Sequence, residues 1–327
     1  MQEKILGALT RRRFLTSSAA VAAGAIAGGH PLLARALQAQ QSAPALGIVE
    51  QARATAATAK ITTQKLRGRV QVLMGSGGNI AVLAGTEGKL LVDSGYSTSR
   101  PQLTEALTAI SADPLKLLIN THWHFDHTDG NEWMHSAGAS ILAHEKTLAR
   151  MSTPQFIVAF DAHLPASPAG ALPTQTFAEK QNLKRNGENI RLEHYAAAHT
   201  DTDLSVMFTD SNVLHTGDTW FNGMYPFIDY SSGGNIDGMI AAAGKSLSIA
   251  TASTIIIPGH GPVGNREQLS QFRDMLVGMR EKVADLKKQG KSVEEVIAAA
   301  PNASYDAKFG TGFLKPEMFV RLVYQGV

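Results

Sequence analysis

The sequence predicts an α/β fold in which polar loops follow short buried strands. Short apolar segments alternate with longer segments of helical periodicity, as expected for alternating strands and helices. Several apolar segments run directly into loops that contain His or Asp, which is where α/β proteins place their chemistry. The 327 residues, 44% hydrophobic and 18% charged, suffice for one large domain or two modest ones and exclude wholesale disorder.

Residues 1–39 resemble a twin-arginine export signal. Thr10-Arg11-Arg12-Arg13-Phe14-Leu15 precedes an apolar run of small residues, Ala19–Gly29. Two alternative candidates for a small-residue cleavage site follow, Ala34-Arg35-Ala36 and Leu37-Gln38-Ala39. The resemblance implies export to the periplasm by the Tat machinery after folding in the cytoplasm. An ordinary amphipathic or anchoring helix is the alternative. The run is shorter than the roughly 20 apolar residues that a span requires, so no stable membrane span is expected in the mature form.

The composition after this segment argues against a nucleic-acid partner. The first 39 residues hold five basic residues against one acidic residue, and the remainder holds 25 basic and 27 acidic residues. The mature chain therefore lacks the basic excess of a nucleic-acid binder. Residues 40–60, rich in Ala and Gln with little periodicity, predict a flexible lead-in, and the ordered domain is expected over 61–327.

The element predictions follow the chain in order. Strands are expected at Asn79–Ala84, Lys89–Asp93, Leu115–Asn120, Leu204–Thr209, Asn212–His215 and Thr254–Pro258, the first two forming a hairpin around the turn 85–88. Helices are expected at Pro101–Ile110, Gly130–Ser136, Ile236–Ala250, from Glu267 to Gly290, at Ser292–Ala300 and from Pro316. The apolar stripe of the helix from Glu267 indicates core packing, and the Pro- and Gly-rich segment 165–173 predicts a loop.

The segment His122-x-His124-x-Asp126-His127 is the strongest functional signal. The chain has no Cys, so His and carboxylate side chains must hold any metal ion. After an extended strand, His122 and His124 point the same way and can reach one cation. The turn that follows lets Asp126 and His127 point to a neighbouring position, so one loop can supply two metal sites.

Three further residues at predicted element ends fit the same centre. His199 precedes a strand, Asp218 follows one in His215-Thr216-Gly217-Asp218, and His260 follows one in Gly259-His260-Gly261. An isolated histidine is more often a hydrogen-bonded structural residue, but together these positions favour a metal centre. The remaining histidines after residue 39 are expected to be hydrogen-bonded structural residues, namely His135, His144, His163, His194 and His215.

These residues resemble the metallo-β-lactamase-fold superfamily of hydrolases, over roughly residues 70 to 265. The resemblance implies a four-layer αβ/βα sandwich with the site along one edge. It implies that the first metal is held by His122, His124 and His199, and the second by Asp126, His127 and His260. Asp218 would bridge both, and Asp93 would orient a ligand imidazole from the second shell, with a simple turn cap as the alternative for Asp93.

The implied activity is that of a dinuclear zinc hydrolase. Two Zn²⁺ with a bridging hydroxide would cleave a carbonyl–heteroatom bond of a small-molecule substrate, and Asp126 would accept or shuttle a proton. Candidate substrates are a β-lactam-like amide, a lactone or a thioester. Asp218 resembles the thioesterase and lactonase branches, because the true β-lactamases generally have Cys or Ser there. Phe221 stands where a lactonase has Tyr, and no basic cluster suits a glutathione moiety.

The sequence also leaves two alternative functions and predicts one wall of the substrate pocket. A non-haem iron oxygenase of the persulfide dioxygenase type would use one Fe²⁺, and a binding protein would keep a vestigial site. An aromatic segment after Asp218 predicts the substrate pocket wall, with a hydrophobic plug as the alternative, through Trp220, Phe221, Asn222 and Tyr225. Trp123, between two ligands, is interpreted as packing.

Overall fold

The computed structural model of the protein describes residues 47–327. The predicted export signal and the start of the predicted lead-in lie outside these residues. For the described part of the segment 40–60, the prediction of a flexible lead-in is wrong, because Ile48–Ala56 forms a helix, α1. Val49 and Ala56 lie seven residues apart on one face of it and are buried. The side chains of Ser99 and Gln102 donate hydrogen bonds to the backbone at its end, which fastens α1 to the domain.

The first sheet of the described chain has seven strands in the order β1-β2-β3-β4-β5-β6-β9. The pairs from β1 to β4 are antiparallel, and those from β4 through β5 and β6 to β9 are parallel. Its strands are Thr62–Lys65, Val70–Met74, Ile80–Leu83, Lys89–Val92, Leu115–Ile119, Ser140–His144 and Gln175–Phe177. The expected hairpin of β3 and β4 is present, with Ala81 opposite Val92.

The second sheet of the described chain has six strands in the order β10 to β15. It is antiparallel except for the parallel pair of β13 and β14. Its strands are Lys180–Arg185, Glu188–His194, Leu204–Phe208, Val213–His215, Ile255–Ile257 and Gly264–Asn265. A separate hairpin is formed by β7, Gln155–Ile157, and β8, Ala162–Leu164.

Helices cover the outer faces of both sheets. After α1, the helices α2 to α10 are Arg100–Ile110, Phe125–Thr128, Asn131–Ser136, Glu145–Met151, Ile236–Ile249, Arg266–Lys288, Val293–Ala298, Ala303–Phe309 and Pro316–Gly326. In the described chain, none of these helices combines the length and the apolar character that crossing a membrane would need.

Three apolar clusters hold these layers together. One contains side chains of both sheets, such as Val92 and Val206, so the sheets pack face to face. A second joins the first sheet to α2 through residues such as Leu103. The third packs α6, α7 and α10 against the second sheet and contains the fully buried Phe272. The order helix, sheet, sheet, helix is the expected αβ/βα sandwich, and burial of apolar surface between its layers is the main force that stabilises it.

Asn79 joins the two sheets at the edge where the functional loops emerge. Its side-chain amide donates to the carbonyls of Pro258 and Gly261, each at 2.9 Å, and its backbone N–H donates to Gly259. The ring of His215 lies 3.0 Å from the Asn79 carbonyl. All of these groups are buried or nearly so. Asn79 therefore fixes the 258–261 loop, which carries His260, against the first sheet.

Replacement of Asn79 by Ala should lower the free energy of unfolding by about 1–3 kcal/mol, because two buried carbonyl groups lose their donor. Urea unfolding followed by circular dichroism measures the effect, and Asn182→Ala, an exposed asparagine of β10, serves as the matched control. Equal stability of the Asn79→Ala variant and the control would contradict this role.

Candidate metal centre

The strand β5 leads directly into the loop that carries the His-x-His-x-Asp-His segment. The backbone of His124 is extended, with φ −60° and ψ 146°, and the one-turn helix α3 begins at the next residue. This change from extended to helical backbone turns Asp126 and His127 away from the direction of His122 and His124. His122, His124 and His127 are buried, whereas Asp126 is half-buried at the site surface.

The first group of candidate ligands consists of His122, His124 and His199. One ring nitrogen of each lies within 4.8 Å of the others. His199 Nε2 lies 2.8 Å from His124 Nδ1, and the three rings contact each other edge to face. The loop between β11 and β12 supplies His199, and the loop after β5 supplies the other two.

The second group consists of Asp126, His127 and His260, and Asp218 lies between the two groups. His260 Nε2 is 3.1 Å from Asp126 Oδ2 and 3.3 Å from Asp218 Oδ2. His127 Nε2 is 3.1 Å from Asp218 Oδ1. Asp218 Oδ2 is also 3.5 Å from His199 Nε2 and 3.9 Å from His122 Nε2. The structure thus brings together all seven residues that the sequence analysis selected, with Asp218 in the central position.

The ring nitrogens that face away from the centre have hydrogen-bond partners that orient the rings. His127 Nδ1 is 2.7 Å from Asp93 Oδ2, the second-shell position that the sequence analysis proposed. His122 Nδ1 is 3.0 Å from the Thr121 hydroxyl, which itself donates to Asp93. His124 Nε2 is 3.0 Å from Asp229 Oδ2.

His199 completes this pattern through the backbone. Its Nδ1 lies 2.8 Å from the Phe227 carbonyl oxygen. The sequence analysis missed Thr121, Phe227 and Asp229. Asp229 lies far from the motif in sequence, and the Phe227 contact uses a backbone carbonyl, which any residue type has. Only Thr121 could have been found from the sequence, because it is adjacent to His122.

The hydrogen-bond pattern shows that these residues fit a cation. A carboxylate and a carbonyl oxygen are acceptors only, so His124 Nε2 and His199 Nδ1 must both donate. In the neutral rings the inner nitrogens of His124 and His199 then face each other with lone pairs at 2.8 Å, an arrangement that a cation bound to both would stabilise. His122 Nε2 is buried and has no hydrogen-bond partner among the described residues.

The separations between candidate ligand atoms agree with this interpretation. Ligand atoms held tetrahedrally at zinc–nitrogen or zinc–oxygen distances are about 3.3 Å apart. The contacts named above fall between 2.8 and 3.9 Å. A divalent cation is therefore compatible with the cluster in size as well as in donor chemistry.

The protonation of the cluster differs between its two groups of candidate ligands. Burial raises the pKa of Asp218, but the charges of His260 and His127 outweigh this effect and hold the pKa well below its ordinary value. Burial lowers the pKa of His260, yet the neighbouring Asp218 and Asp126 raise it overall to about 9. Burial lowers the pKa of His199 to about 4 and, together with the charge of His127, the pKa of His122 well below its ordinary value. Those two rings therefore keep the neutral form that binds metal.

A cavity of about 330 Å³ lies over the cluster. Five cluster residues line it, namely His124, Asp126, His199, Asp218 and His260. The other lining side chains are mainly aromatic or aliphatic and include Tyr96, Phe125, Phe160, Phe221, Phe227 and Phe313. The cavity is the space where a substrate can reach the metal ligands.

The structure corrects most of the pocket prediction. Of the four residues proposed, only Phe221 lines this cavity, with its ring stacked on His260 at 5.2 Å. Trp220 is buried in the helix-side core, and Tyr225 stacks on Phe319 and donates to Asp306. Asn222 donates to the Pro262 carbonyl and holds the 259–262 loop. Trp220 and Tyr225 therefore form the hydrophobic plug that was the alternative, and Asn222 supports the loop.

The other histidines of the described chain have structural contacts. Backbone carbonyls lie within hydrogen-bond distance of rings in His135, His144, His194 and His215. His163 stacks on Phe156 at 4.2 Å. Trp123 is buried in the helix-side core, as expected of a packing residue.

The sequence profile of the metallo-beta-lactamase superfamily matches residues 73–270. The match covers more than half of the chain and contains all seven cluster residues together with Asp93. The chain therefore belongs to the metallo-beta-lactamase superfamily. Within that fold, the His and Asp cluster implies that the protein binds a divalent metal.

Curated relatives match part of the chain. The 2,4-dinitroanisole O-demethylase subunit alpha of Nocardioides sp. strain JS1661 is 28% identical over 169 residues, 50% of this chain and 47% of that protein. The hydroxyacylglutathione hydrolase of Polaromonas sp. strain JS666 is 25% identical over 174 residues, 52% of this chain and 58% of that protein. The linear primary-alkylsulfatase of Pseudomonas sp. strain ATCC 19151 is 23% identical over 286 residues, 73% of this chain and 54% of that protein. The chain thus spans about half the length of these relatives.

Solved structures share the fold. A stereoselective inverting sec-alkylsulfatase from Pseudomonas sp. superposes with a TM-score of 0.63 at 15% identity, covering 84% of this chain and 51% of that one. A metallo-beta-lactamase from Pontibacter korlensis superposes with a TM-score of 0.54 at 19% identity, covering 66% of this chain and 99% of that one. At these identities the likeness shows the αβ/βα fold alone.

The two orienting carboxylates, Asp93 and Asp229, contact ligands of different groups, so removal of each should weaken metal binding at a different one of the two positions. Asp93→Ala frees the ring of His127 and Asp229→Ala frees the ring of His124, and loss of such a partner typically lowers metal affinity about 10–100-fold. Competition of zinc with a chromophoric chelator measures the affinity of each position. Asp274→Ala, which removes an exposed carboxylate paired with Arg273, is the control, and control-like affinity in both variants would contradict the assignment.

Proposed function

We propose that this protein is a dinuclear zinc hydrolase that cleaves a carbonyl–heteroatom bond in a small-molecule substrate. The substrate would be a lactone, a thioester or a β-lactam-like amide. The observation that carries the proposal is the pair of three-residue ligand groups with the Asp218 carboxylate between them. A carboxylate in that position can contribute one oxygen to each of two cations.

The donor set supports zinc over other metals. Imidazole nitrogens and carboxylate oxygens suit Zn²⁺ in tetrahedral geometry, and the chain has no thiolate that would favour softer ions. An oxygenase with one Fe²⁺ needs only two histidines and one carboxylate. It would give no role to the second group, in which His127 and His260 both face Asp218.

Bound in this cluster, the two cations would lower the pKa of a water molecule and polarise the carbonyl group of the substrate. The protein contributes the orientation of the ligand rings, through Asp93, Thr121, Asp229 and the Phe227 carbonyl. These partners hold the ligands rigidly before substrate arrives, which is the preorganisation that efficient catalysis needs.

Asp126 is the cluster carboxylate best placed to handle a proton. Its side chain is 17% exposed, whereas that of Asp218 is 4% exposed. Burial raises the pKa of Asp126, but His127 and His260 reverse the effect and lower it to about 2. The carboxylate is therefore ionised, and its exposure to the cavity is the observation that supports a role in proton transfer between the nucleophile and the leaving group.

The names of the relatives support hydrolysis, but they point to more than one type of scissile bond. The hydroxyacylglutathione hydrolase is named for removal of an acyl group, which agrees with attack at a carbonyl carbon. The alkylsulfatases are named for another ester class. A substrate panel should therefore contain lactones, thioesters, β-lactams and alkyl sulfates.

We also propose that the protein acts in the periplasm after export by the Tat machinery. Thr10-Arg11-Arg12-Arg13-Phe14-Leu15 and the apolar run that follows support this proposal. Folding before export would let the metal ligands assemble in the cytoplasm.

Replacement of His260 by Ala should reduce the zinc content from two ions per chain toward one and abolish turnover, because the second group loses a ligand. Asp126→Asn should abolish turnover with little loss of fold. Elemental analysis of protein purified without added metal, together with the substrate panel, measures both effects. His163→Ala is the control for loss of a histidine outside the cluster.

Two results would contradict the two-metal hydrolase. Full turnover in both variants would remove Asp126 and His260 from the mechanism. A content of one iron per chain that is unchanged in His260→Ala would favour the oxygenase, and oxygen consumption would then be the next measurement.

Conversion of Arg11, Arg12 and Arg13 to Lys should retain the protein in the cytoplasm while preserving the positive charge of the segment. Cell fractionation with immunoblotting measures the distribution. Unchanged periplasmic recovery of the triple variant would contradict twin-arginine export.

A further inference from the structure

Aromatic rings line one wall of the cavity from the protein surface to the metal ligands. Phe313 is 56% exposed at the outer end, and its ring centroid lies 6.4 Å from that of Phe160. Phe160 lies 4.6 Å from Phe227. Phe227 stacks on His124 at 6.0 Å and contacts His199 edge to face at 5.8 Å.

The other lining residues are also apolar outside the metal cluster. Tyr96 and Phe125 contact each other at 5.9 Å, and Phe221 stacks on His260. Ile48 and Ile157 complete the wall. Among the described residues, no Lys or Arg lines this cavity, so its charged groups are the metal-ligand candidates themselves.

Two of the large exposed apolar side chains of the described chain lie at the mouth of the cavity. The large exposed hydrophobic residues of the described chain are Ile48, Phe156, Val158 and Phe313. Ile48 and Phe313 line the cavity, whereas Phe156 and Val158, which flank the lining residue Ile157 in sequence, do not. Ile48 comes from α1, and Phe313 comes from the loop before α10. Such clustering of apolar residues from separate segments is typical of a surface that binds an apolar ligand.

We propose that the cavity binds the uncharged, apolar part of the substrate, an alkyl chain or an aryl ring attached next to the scissile bond, along Phe227, Phe160 and Phe313. This inference rests on the proposed hydrolase function and names its substrate class. A substrate with a carboxylate in that position is disfavoured, because the carboxylate would lose water without gaining a cationic partner.

The first test compares acyl groups on the zinc-loaded full chain. The substrates are 4-nitrophenyl acetate, butyrate and octanoate, and the 4-nitrophenyl monoester of suberic acid, which matches octanoate in length but ends in a carboxylate. We expect kcat/KM to rise by about tenfold or more from acetate to octanoate, because each buried methylene favours binding. We expect the suberate monoester to be about tenfold poorer than octanoate. Equal values along the neutral series, or a preference for suberate, would overturn the inference.

The second test uses variants at the mouth and along the wall. Phe313→Ala and Phe160→Ala should raise KM for octanoate about fivefold to tenfold, a larger increase than the one for acetate. Phe156→Ala is the matched control, because that ring is exposed on the same hairpin but stacks on His163. Phe313→Arg should improve the suberate monoester relative to octanoate, a change that mere destabilisation would not produce. Control-like KM values in the two Ala variants would overturn the inference.

A binding measurement separates this inference from the proposed function. The neutral fluorescent probe N-phenyl-1-naphthylamine should bind the metal-free full chain and be displaced by 1-octanol at lower concentration than by 1-butanol. Phe160→Ala and Phe313→Ala should weaken probe binding severalfold, and Phe156→Ala should not. Weakened binding without zinc-dependent turnover of any ester would support the apolar subsite and count against the hydrolase. Turnover with unchanged probe binding in the variants would count against the apolar subsite alone.

Discussion

The central constraint of this structure is the buried Asp218 carboxylate, which is surrounded by four imidazole rings. It lies within 4 Å of His122, His127, His199 and His260. A buried carboxylate is tolerated only where positive charge or donors compensate the lost hydration. The backbone makes this approach possible at Gly259, where a Cβ atom would lie 1.9 Å from Asp218 Oδ1. Gly78 has the same role beside His127, since a Cβ atom there would lie 2.0 Å from the ring.

The remaining contacts of the centre connect this charge cluster to both sheets. Asp93, with φ 68°, leaves β4 in a left-handed conformation and accepts hydrogen bonds from Thr121 and from the ring of His127. Asn79 fastens the His260 loop to the first sheet. The rigid layers thereby determine where the ligand atoms lie, and the position of the metal follows from the packing of the sandwich.

The sequence predicts the metal cluster better than it predicts the pocket, for a physical reason. Ligands at strand ends are local signals, because alternation along a strand sets the direction of His122 and His124. The elements β5 and α6 were predicted because a short apolar strand and an apolar helical stripe are also local patterns. The polar edge strand β10 and the short, Ala-rich helix α1 escaped prediction. Pocket residues such as Phe160 and Phe313 come from distant segments, so their proximity to the metal depends on tertiary packing that no local pattern encodes.

The same geometry separates the residues that would hold a metal from the residues that would contact a substrate. The superfamily match, residues 73–270, contains every candidate ligand, whereas Ile48 and Phe313 at the cavity mouth lie outside it. The ligands occupy strand ends, which cannot move without disturbing the sandwich. The mouth is formed by α1 and the loop before α10, segments that pack on the domain from outside. Such segments can change without altering the metal centre. Membership of the superfamily therefore indicates that this protein binds a divalent metal, and the apolar side chains of these outer segments support the proposed apolar substrate.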